Sequence, residues 1–378
     1  MQAVILAAGQ GKRLFPFSVT KPKPLIRIAN KYILEHNLNN LVGIIEEAII
    51  IVGYKKEMIV KQFGDVYKNI NLIYVVQAEQ KGTGHAVLLA KPYIKGKFLV
   101  VNGDDLFSRQ DIENLARHDY SILVDYREDT SAFGAVVIEK GFVKDLVEKS
   151  KTFISHYVNA GLYCFQPVIF NILENISPSI RGEYELTDAI KIIAQRESMH
   201  AETVCGYWIP VGYPWHILDA TKRMLEQNHS TLIKGTIAPN AKLSGPIVIG
   251  ERTVIEENAF LDGNIIIGTN CHLGKSCVLK GFAAIGDNTI IKENTLLQNV
   301  VIGQNCTIES GCIISDSVLG DDVHVSANIQ FANKEGSGSI KVNSNGNFYN
   351  SGKEQLGAFV GDNCQVTRNL VPGECVGK

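Results

Sequence analysis

The sequence predicts an α/β domain with a mixed or parallel sheet, followed by a parallel β-helix. Two features of the 378-residue chain lead to this prediction. In the first part, short apolar runs alternate with segments of helix-like spacing, whereas after residue 235 aliphatic residues recur at every sixth position. Strands alternating with helices are typical of a parallel sheet covered on both faces. A period of six is typical of hexapeptide β-helices, in which three short strands make one coil.

The apolar runs of the first part locate its strands. They cover residues 2–7, 48–52, 72–76, 98–101 and 121–124. In open α/β sheets, ligands bind beyond the carboxyl ends of the strands. The glycine-rich turn after the first run and the stretch Asn102-Gly103-Asp104-Asp105 both fall at such ends. We therefore expect a ligand site at this edge of the sheet.

The second part carries the six-residue repeat almost without a break. Its aliphatic positions are Ile237, Leu243, Ile249, Ile255, Leu261, Ile267, Leu273, Leu279, Ile285, Ile291 and Leu297, and after slips of one residue Ile302, Ile308, Ile314, Leu319 and Val325. Neither the helical period of 3.6 nor the strand period of two explains this spacing. Cys271 and Cys277 are six apart, as are Cys306 and Cys312. We interpret both pairs as buried repeat positions rather than metal sites.

Composition and charge exclude several classes of protein. The chain is 45% hydrophobic and 20% charged, which is typical of globular proteins, and its formal net charge is −2. Such a charge provides no basic field for nucleic acid or an anionic membrane, so we expect neither partner. The eight cysteines form no CxxC pair, and the first residues lack the pattern of a signal peptide. We expect free, buried thiols and a cytoplasmic protein.

The segment from Leu6 to Leu14 places two glycines and two cations directly after a strand. Glycines let backbone N–H groups approach phosphate oxygens, and Lys or Arg neutralises their charge. A dinucleotide fingerprint would need a third glycine where Leu14 stands, and a P-loop would need GKS or GKT. On this segment alone, a phosphate-binding turn and a plain structural turn both stay open.

Three segments, in order, resemble the sugar-nucleotide pyrophosphorylases, a family of sugar-1-phosphate nucleotidyltransferases. They are residues 6–25 (LAAGQGKRLFPFSVTKPKPL), 77–86 (QAEQKGTGHA) and 181–188 (RGEYELTD). The repeat is similar to the left-handed β-helix of hexapeptide acyltransferases, which commonly form trimers. The resemblance implies a Rossmann-like nucleotidyltransferase domain at 1–230, a left-handed parallel β-helix with a C-terminal tail at 231–378, and a homo-oligomer, a trimer through the β-helix.

The resemblance also implies a reaction. UTP or dTTP and glucose-1-phosphate or N-acetylglucosamine-1-phosphate would give a nucleoside-diphosphate sugar and pyrophosphate. The attacking sugar phosphate is already an anion, so no general base or covalent nucleophile is required. Two polyanions must nevertheless meet, and cations together with Mg²⁺ would stabilise their charge.

Three residues are implied as catalytic. Arg13 would clamp the triphosphate and the leaving group, because its planar fork suits bidentate phosphate contacts. Lys23, in Lys21-Pro22-Lys23-Pro24, would contact the α-phosphate and the sugar phosphate. Asp104 would hold Mg²⁺, which prefers hard oxygen ligands. Its neighbour Asp105 is expected to face solvent or to cap the next element.

The remaining implied residues bind substrate. An amide can satisfy both a donor and an acceptor of uracil or thymine, which suits Gln77 and Gln80 for reading the base. His85, Tyr184 and Trp208 are interpreted as packing residues. The full substrate-binding set is Leu6, Ala8, Gly9, Gly11, Gln77, Gln80, Gly82 and Thr83 for the nucleotide, and Gly134, Glu148 and Asn159 for the sugar.

The chain departs from the family in three places. Relatives carry a second metal-binding Asp or Asn where this chain has Pro210, which cannot bind Mg²⁺. Ser150 follows Glu148-Lys149 where relatives have proline. In the β-helix of two-function relatives a histidine is the base for acetyl transfer, whereas the aligned place here is near Ser310-Gly311. His324 is the candidate substitute, and Asn333-Lys334 resembles an acetyl-acceptor motif.

Three hypotheses follow. The leading one is an active nucleotidyltransferase in which the β-helix is mainly an oligomerisation scaffold. The second adds acetylation of an amino-sugar phosphate. The third is a non-catalytic regulatory subunit that binds sugar nucleotides; Pro210 favours it, whereas Arg13, Lys23 and Asp104 argue against it.

Overall fold

The structure is a computed structural model that describes residues 1–148 and 152–377. It divides into two compact units. The first unit comprises Met1–Gln10 and Ile33–Pro210, and the second comprises Gly11–Tyr32 and Val211–Lys378. The domain boundary expected at 230/231 stays a prediction.

The strands, in chain order, are β1 (Gln2–Ala7), β2 (Arg27–Ile28), β3 (Lys31–Tyr32), β4 (Glu47–Val52), β5 (Val66–Tyr67), β6 (Ile70–Val76), β7 (Phe98–Asn102), β8 (Asp105–Phe107), β9 (Ser121–Tyr126), β10 (Gly134–Glu139), β11 (Phe142–Glu148), β12 (Tyr157–Phe165), β13 (His200–Thr203), β14 (Trp208–Pro210), β15 (Leu232–Ile233), β16 (Thr236–Ile237), β17 (Lys242–Ser244), β18 (Ile247–Ile249), β19 (Val254–Ile255), β20 (Phe260–Ile267), β21 (His272–Leu273), β22 (Val278–Ile285), β23 (Ile290–Ile291), β24 (Leu296–Ile302), β25 (Thr307–Ile308), β26 (Ile313–Ser315), β27 (Val318–Leu319), β28 (His324–Val325), β29 (Gln330–Phe331), β30 (Lys341–Ser344), β31 (Asn347–Asn350), β32 (Phe359–Val360), β33 (Gln365–Val366) and β34 (Cys375–Val376).

The α-helices are α1 (Ile33–Leu41), α2 (Lys56–Phe63), α3 (Thr83–Leu88), α4 (Arg109–Leu115), α5 (Ile169–Leu173), α6 (Leu186–Arg196) and α7 (Pro214–Glu226). Short 3-10 helices cover Lys12–Leu14, Lys23–Leu25 and Lys91–Tyr93. Among the described residues, no helix has the length and apolarity needed to cross a membrane.

A ten-stranded sheet forms the centre of the first unit. Its strand order is β10-β11-β13-β9-β12-β7-β1-β4-β6-β5. Strands β7, β1, β4 and β6 are parallel neighbours, whereas β12 runs antiparallel to β7. Strand β4 is buried from Ala48 to Val52, which explains its continuous apolar run. The predicted Rossmann-like α/β domain with a mixed sheet is confirmed.

Glycines let the loops at the carboxyl ends of these strands approach closely. The N–H of Gly103, after β7, donates to the carbonyl of Leu6 in β1 at 2.9 Å. A Cβ at Gly103 would lie 2.7 Å from that oxygen, and one at Gly53, after β4, would lie 2.8 Å from the carbonyl oxygen of Ala8. Neither position therefore admits a side chain.

Parallel strands from Leu232 onward form the larger part of the second unit, and we call residues 232–377 the stacked-strand region. The parallel strands form one sheet of eleven and one of seven, and β30 and β31 form a separate antiparallel pair. Phe260 pairs with Val278, 18 residues further on, so one coil corresponds to three six-residue repeats. From β24 the spacing falls to 17, as in the pairing of Leu296 with Ile313. This change accounts for the slip in the sequence pattern after Leu297. The arrangement is consistent with a β-helix.

Aliphatic side chains fill the interior of the stacked-strand region. Leu261, Leu279 and Leu297 are in register on successive strands, and each is fully buried. Cys271, Cys277, Cys306 and Cys312 are free thiols buried in the same core. Cys271 and Cys277 precede different strands of one coil, so the residues in equivalent positions lie 17 or 18 positions away, not six.

The segment 11–32 and helix α7 belong to the second unit because they pack on its strands. Helix α7 contacts β20, β22, β24 and β2. The Asn30 side chain donates to the carbonyl of Ile285 at 2.7 Å, and the Ala29 N–H donates to the Thr221 hydroxyl at 3.4 Å. The division into two spatial units therefore differs from a division of the chain at the point where its sequence pattern changes.

Truncation of Leu279 to Ala tests the packing of this core. We expect the unfolding free energy to fall by about 2–5 kcal/mol, because lost burial and a residual cavity both contribute. Leu232→Ala is the matched control, since this leucine is 51% exposed. Urea unfolding followed by circular dichroism measures both variants. Equal midpoints for the two would contradict the burial of Leu279 in a close-packed core.

Candidate active site

The turn after β1 leaves its backbone open. Ala8 is buried, whereas Gly9 and Gln10 are exposed, and no heavy atom lies within 4 Å of a Cβ built on Gly9. The Ala8 carbonyl accepts hydrogen bonds from the Gln80 side chain at 2.9 Å and from the Tyr54 N–H at 3.3 Å. These bonds hold the turn from one side, and the other side is free to receive an anion.

A polar depression lies at the carboxyl ends of β1, β4 and β6. It contains about 850 Å³ of open space. Its lining residues are Gln10, Gly53, Tyr54, Lys56, Val76, Gln77, Ala78 and Gln80. Sequence reasoning missed Tyr54 and Lys56; the apolar run 48–52 that directly precedes them was the available signal. A depression with amides, a tyrosine and a cation can take a planar, polar ligand group.

Gln77 is the buried member of the base-reading pair. Its Nε2 lies 3.1 Å from the Gly82 carbonyl oxygen and 3.1 Å from Nδ1 of His85. Burial, together with the positive charge of Lys81, lowers the pKa of His85. The neutral ring can accept a hydrogen bond from the Gln77 amide. His85 therefore orients a substrate-binding candidate and is more than a packing residue.

The second and third family-like segments contact each other. A Cβ at Gly82 would lie 2.5 Å from the Tyr184 carbonyl oxygen, and the φ of Gly82 is 101°. The Gly84 N–H donates to that same oxygen at 2.8 Å. The Thr83 hydroxyl accepts from the N–H of Leu186, the first residue of α6, at 3.1 Å. The segment 184–186 thus supports the loop that carries Gly82 and Thr83.

Asp104 lies two residues after the end of β7 and is half-buried. Its neighbour Asp105 is also half-buried and accepts a hydrogen bond from the indole N–H of Trp208 at 3.1 Å. The expectation that Asp105 faces solvent is therefore wrong, and Trp208 does more than pack. Pro210 pairs directly with Asp105 across β14 and β8.

This donor set fits Mg²⁺ with one protein carboxylate. Asp105 is engaged by Trp208, and Pro210 has no ligand atom in its side chain. Mg²⁺ usually takes one or two carboxylates and completes its shell with substrate phosphates and water. Asp104 can be that carboxylate.

The three residues expected on the sugar side lie together. Gly134 pairs with Glu148 across β10 and β11, and a Cβ on Gly134 would lie 2.8 Å from Glu148 Oε2 and 3.7 Å from Asn159 Cβ. The Asn159 amide donates to the Tyr163 hydroxyl at 2.8 Å. Ser150, whose departure from the family pattern concerned this loop, lies outside the described residues.

The second unit holds Gly11, Arg13 and Lys23. Lys23 is only 7% exposed, whereas a single lysine in a loop is usually solvated. Gly11 has a φ of 64°, and a Cβ there would lie 3.2 Å from Lys23 Cβ. The glycine thus admits both the left-handed turn and the lysine stem packed beside it.

Arg13 is exposed and is oriented by an aromatic residue that sequence reasoning missed. Its Nη1 lies 3.4 Å from the Tyr213 hydroxyl, and its guanidinium is 5.0 Å from the centre of that ring. Tyr213 in turn stacks on Trp215 at 4.6 Å. Burial lowers the pKa of the neighbouring His216 to about 4, so its ring is uncharged at neutral pH. Its Nδ1 accepts a hydrogen bond from the Gly212 N–H. Tyr213 and Trp215 flank Pro214, the first residue of α7, and this pair of aromatics was the sequence signal that could have identified Tyr213.

The predicted site residues all lie within the described part of the chain, and they divide between the units. The second unit holds Gly11, Arg13 and Lys23, and the first holds Leu6, Ala8, Gly9, Gln77, Gln80, Gly82, Thr83, Asp104, Gly134, Glu148 and Asn159. Within the first unit, the nucleotide group follows β1 and β6, and the sugar group lies on β10, β11 and β12. Their assignment to substrates stays a prediction.

Comparison with known proteins identifies relatives along the whole chain. Residues 2–227 match the nucleotidyl transferase family, and residues 243–343 match the GMPPB C-terminal domain. The chain is 36% identical to the bifunctional protein GlmU of Methanococcus maripaludis strain C5, over 100% of this chain and 92% of that protein. With GlmU of strain S2 of the same species it is 40% identical, over 68% of this chain and 62% of that protein.

A shorter relative and two solved structures cover the first part of the chain. UTP–glucose-1-phosphate uridylyltransferase AglF of Haloferax volcanii is 34% identical, over 60% of this chain and 98% of that protein. The fold is similar to that of a UDP-glucose pyrophosphorylase (TM-score 0.55, 24% identity, 60% of this chain, 98% of the other). It is also similar to a putative glucose-1-phosphate thymidylyltransferase from Bacillus anthracis (TM-score 0.54, 25% identity, 58% of this chain, 94% of the other).

The family match extends over more than half of the chain, and it includes the turn after β1, the Gln77–Thr83 loop and Asp104. The chain belongs to the nucleotidyl transferase family, and it is a nucleotidyltransferase.

Proposed function

We propose that the enzyme joins UTP or dTTP to glucose-1-phosphate or N-acetylglucosamine-1-phosphate and releases pyrophosphate. One observation carries this proposal: the open turn at Gly9, the amide-bearing loop 77–83 and Asp104 all follow parallel strands that end at the same edge of one sheet. Relatives named as a UTP–glucose-1-phosphate uridylyltransferase and as GlmU support the substrate class.

The chemistry is one in-line displacement. A phosphate oxygen of the sugar phosphate forms a bond to the α-phosphorus as the bond from that phosphorus to the bridging oxygen breaks, and this oxygen leaves with the pyrophosphate. No proton has to move, so the residues act by position and charge. Arg13 binds the triphosphate and the leaving group, and Lys23 binds the α-phosphate and the sugar phosphate. The backbone amides of Gly9 and Gly11 donate to phosphate oxygens. Leu6 and Ala8 complete this part of the nucleotide-binding set.

Substrate recognition is assigned to two groups in the first unit. Gln77, Gln80, Gly82 and Thr83 bind the base. Gly134, Glu148 and Asn159 bind the sugar; a carboxylate and an amide on adjacent strands can accept from and donate to sugar hydroxyls. When bound, Mg²⁺ neutralises phosphate charge, and Asp104 holds it.

The stacked-strand region is proposed to be a left-handed β-helix built from hexapeptide repeats. Its 18- and 17-residue strand spacing and its aliphatic interior support this assignment. We further propose that it assembles the enzyme as a homo-oligomer, a trimer, and that the enzyme acts in the cytoplasm.

A pyrophosphate-release assay tests the proposed reaction. Four nucleoside triphosphates are combined with several sugar-1-phosphates, with and without Mg²⁺. Turnover is expected with a pyrimidine nucleotide and one of the two named sugars, and EDTA should abolish it. If no pair turns over while a nucleotide still binds, the chain is a regulatory sugar-nucleotide-binding subunit instead.

Charge removal at Arg13 and at Asp104 tests their catalytic roles. Arg13→Ala and Asp104→Ala should each lower kcat at least 10²-fold, the order seen when one charge-stabilising group is lost. The matched controls are Arg117→Ala and Asp65→Ala, since both residues are exposed. Steady-state pyrophosphate release measures all four variants. Rates near wild type in an Arg13 or Asp104 variant would exclude that residue from the site.

Gly82→Ala tests the base-binding loop. The φ of 101° and the Tyr184 carbonyl leave no room for a methyl group, so the loop must shift and strain of about 1–3 kcal/mol is expected. Affinity for UTP should fall at least tenfold. Gly96→Ala is the control, because its surroundings are open. Isothermal titration calorimetry compares the two, and equal affinities would contradict this role of the loop.

A second candidate function, acetyl transfer to an amino-sugar phosphate, is favoured by one observation. The His324 side chain is 43% exposed, and its Nε2 lies 3.4 Å from Glu309 Oε1. A histidine next to an orienting carboxylate is the usual arrangement of a general base. A further relative, 31% identical over 100% of this chain and 94% of that protein, is named as the bifunctional sugar-1-phosphate nucleotidylyltransferase/acetyltransferase of Sulfurisphaera tokodaii.

Substitution of His324 decides this candidate. With acetyl-CoA and glucosamine-1-phosphate, the wild type should release CoASH, and His324→Gln should lower that rate at least 10²-fold, as expected for loss of a general base. His272→Gln is the matched control, because His272 pairs with Glu256 at 3.0 Å on another coil. A thiol-reactive dye follows CoASH. Absence of release by the wild type would eliminate this function.

A further inference from the structure

We propose that Asp321, in the stacked-strand region, is a positioning residue for nucleotidyl transfer. It fixes the segment 11–27, which carries Arg13 and Lys23. The inference rests on the proposed function in one respect, namely that these two cations contact the phosphates of the substrates. No part of it requires Asp321 to touch a substrate.

Asp321 binds the segment through both carboxylate oxygens. Its Oδ2 accepts from Lys21 Nζ at 2.5 Å, and its Oδ1 accepts from Arg27 Nη1 at 2.8 Å. Oδ1 also accepts from the Gln304 N–H at 3.0 Å, which anchors the carboxylate to the preceding coil. The Asp321 side chain is 14% exposed and that of Lys21 is 13% exposed, so solvent screens their ion pair only in part.

A second carboxylate completes the cluster. Asp362 Oδ2 lies 3.0 Å from Lys21 Nζ and also accepts from the Thr20 hydroxyl. Its Oδ1 accepts from the Asp321 N–H at 2.7 Å. Two acids therefore face two bases, and the cluster is close to neutral. The positive charges of Lys21 and Arg27 hold the pKa of Asp321 below its usual value although burial opposes them, so the carboxylate is ionised at neutral pH.

The clamped residues lie on both sides of Lys23. Lys21 is two residues before it and Arg27 is four residues after it, and Pro22 and Pro24 restrict the backbone between. Lys23 is packed against Gly11. A shift of Lys21 must therefore move the stem of Lys23, because the intervening chain has little freedom to absorb the change.

The stacked-strand region also contacts the backbone beside Arg13. The hydroxyl of Ser344, at the end of β30, donates to the carbonyls of Arg13 at 3.2 Å and of Phe15 at 3.4 Å. Tyr349 of β31 lies 5.0 Å from the ring of Tyr213, which orients Arg13. The hairpin β30–β31 and the Asp321 cluster thus hold the segment at two separate places.

The energetics favour a positional role over a purely stabilising one. Removing two charges from water offsets much of their attraction, so an ion cluster of this kind contributes little net stability compared with apolar packing. The ion cluster instead fixes the position of the segment 11–27. Catalysis is sensitive to such a position, because a displacement of about 1 Å can cost about 10²-fold in rate.

The test replaces Asp321 with Asn, which retains the shape and one acceptor oxygen but removes the charge. We expect kcat for pyrophosphate release to fall at least tenfold, with KM for the sugar phosphate changed less than threefold, because transition-state alignment is lost. Asp321→Glu should recover part of kcat. Asp322→Asn is the matched control, since Asp322 is exposed and accepts from the side chain of Asn305, on the neighbouring coil, at 3.1 Å; it should behave as wild type.

Assays run well below the unfolding midpoint of every variant, measured in parallel by circular dichroism. Unchanged kcat and KM in a folded Asp321→Asn variant would overturn the proposal. If that variant does not fold, Asp362→Asn is assayed by the same criterion. If the wild type binds UTP without turnover, the proposed reaction is refuted, but the positioning role of Asp321 is not. In that case the role requires that Asp321→Asn weakens UTP binding at least fivefold in calorimetry. Equal UTP binding by the wild type and Asp321→Asn would refute the role.

Discussion

In the first unit, strands β7, β1, β4 and β6 run parallel and pair so that all four end at one edge of the sheet. The proposed nucleotide site depends on this pairing. The Gly9 turn, the depression beside Tyr54, the loop that begins at Gln77, and Asp104 each lie one or two residues beyond the end of one of these strands. Parallel pairing brings such loops together although up to 100 residues separate them in the chain.

The loops at this edge of the sheet approach each other closely because glycines leave room for contacts between their backbones. Gly53 and Gly103 lie against carbonyl oxygens of the first strand and its turn, where a methyl group would overlap them. Gly82 has the same relation to Tyr184. Main-chain contacts at these glycines therefore hold the loops together, and the side-chain amides of Gln77 and Gln80 add hydrogen bonds to backbone carbonyls.

The second unit has a different organising constraint. From Thr236 to Phe331 its paired strands are 18 or 17 residues apart, and Val318 pairs with Phe359, 41 residues further on. Aliphatic side chains fill the interior of each coil, and polar turns recur on the outside. Asp321 and Asp362 lie in two such turns and approach the same lysine. We propose that these turn residues position the segment 11–27, which is distant in sequence. The buried positions of the repeat are unaffected by this role.

Much of the candidate site was predictable from local signals. Arg13, Lys23 and Asp104 stand in short motifs, and the sequence itself shows that Pro210 replaces the second metal ligand of the relatives. Ser344 and Asp321 were not predictable in this way. Each acts on a residue about 300 positions away in the sequence, and a lone Ser or Asp has no pattern to mark it. Tyr213 and His85 stand in local patterns, but their contacts with Arg13 and Gln77 are visible only in the structure. Asp105 was mispredicted because its partner, the indole of Trp208, is more than 100 positions away.

The sequence by itself determined the α/β alternation, the six-residue repeat and the family, because these are periodic or contiguous patterns set by local burial and backbone chemistry. Only the tertiary structure decided that segment 11–32 packs with the stacked strands, that Lys23 is buried, and that two aspartates clamp Lys21. These facts depend on contacts between residues about 300 positions apart. Burial and charge pairing over such separations follow from the folded path of the chain, which no local pattern specifies.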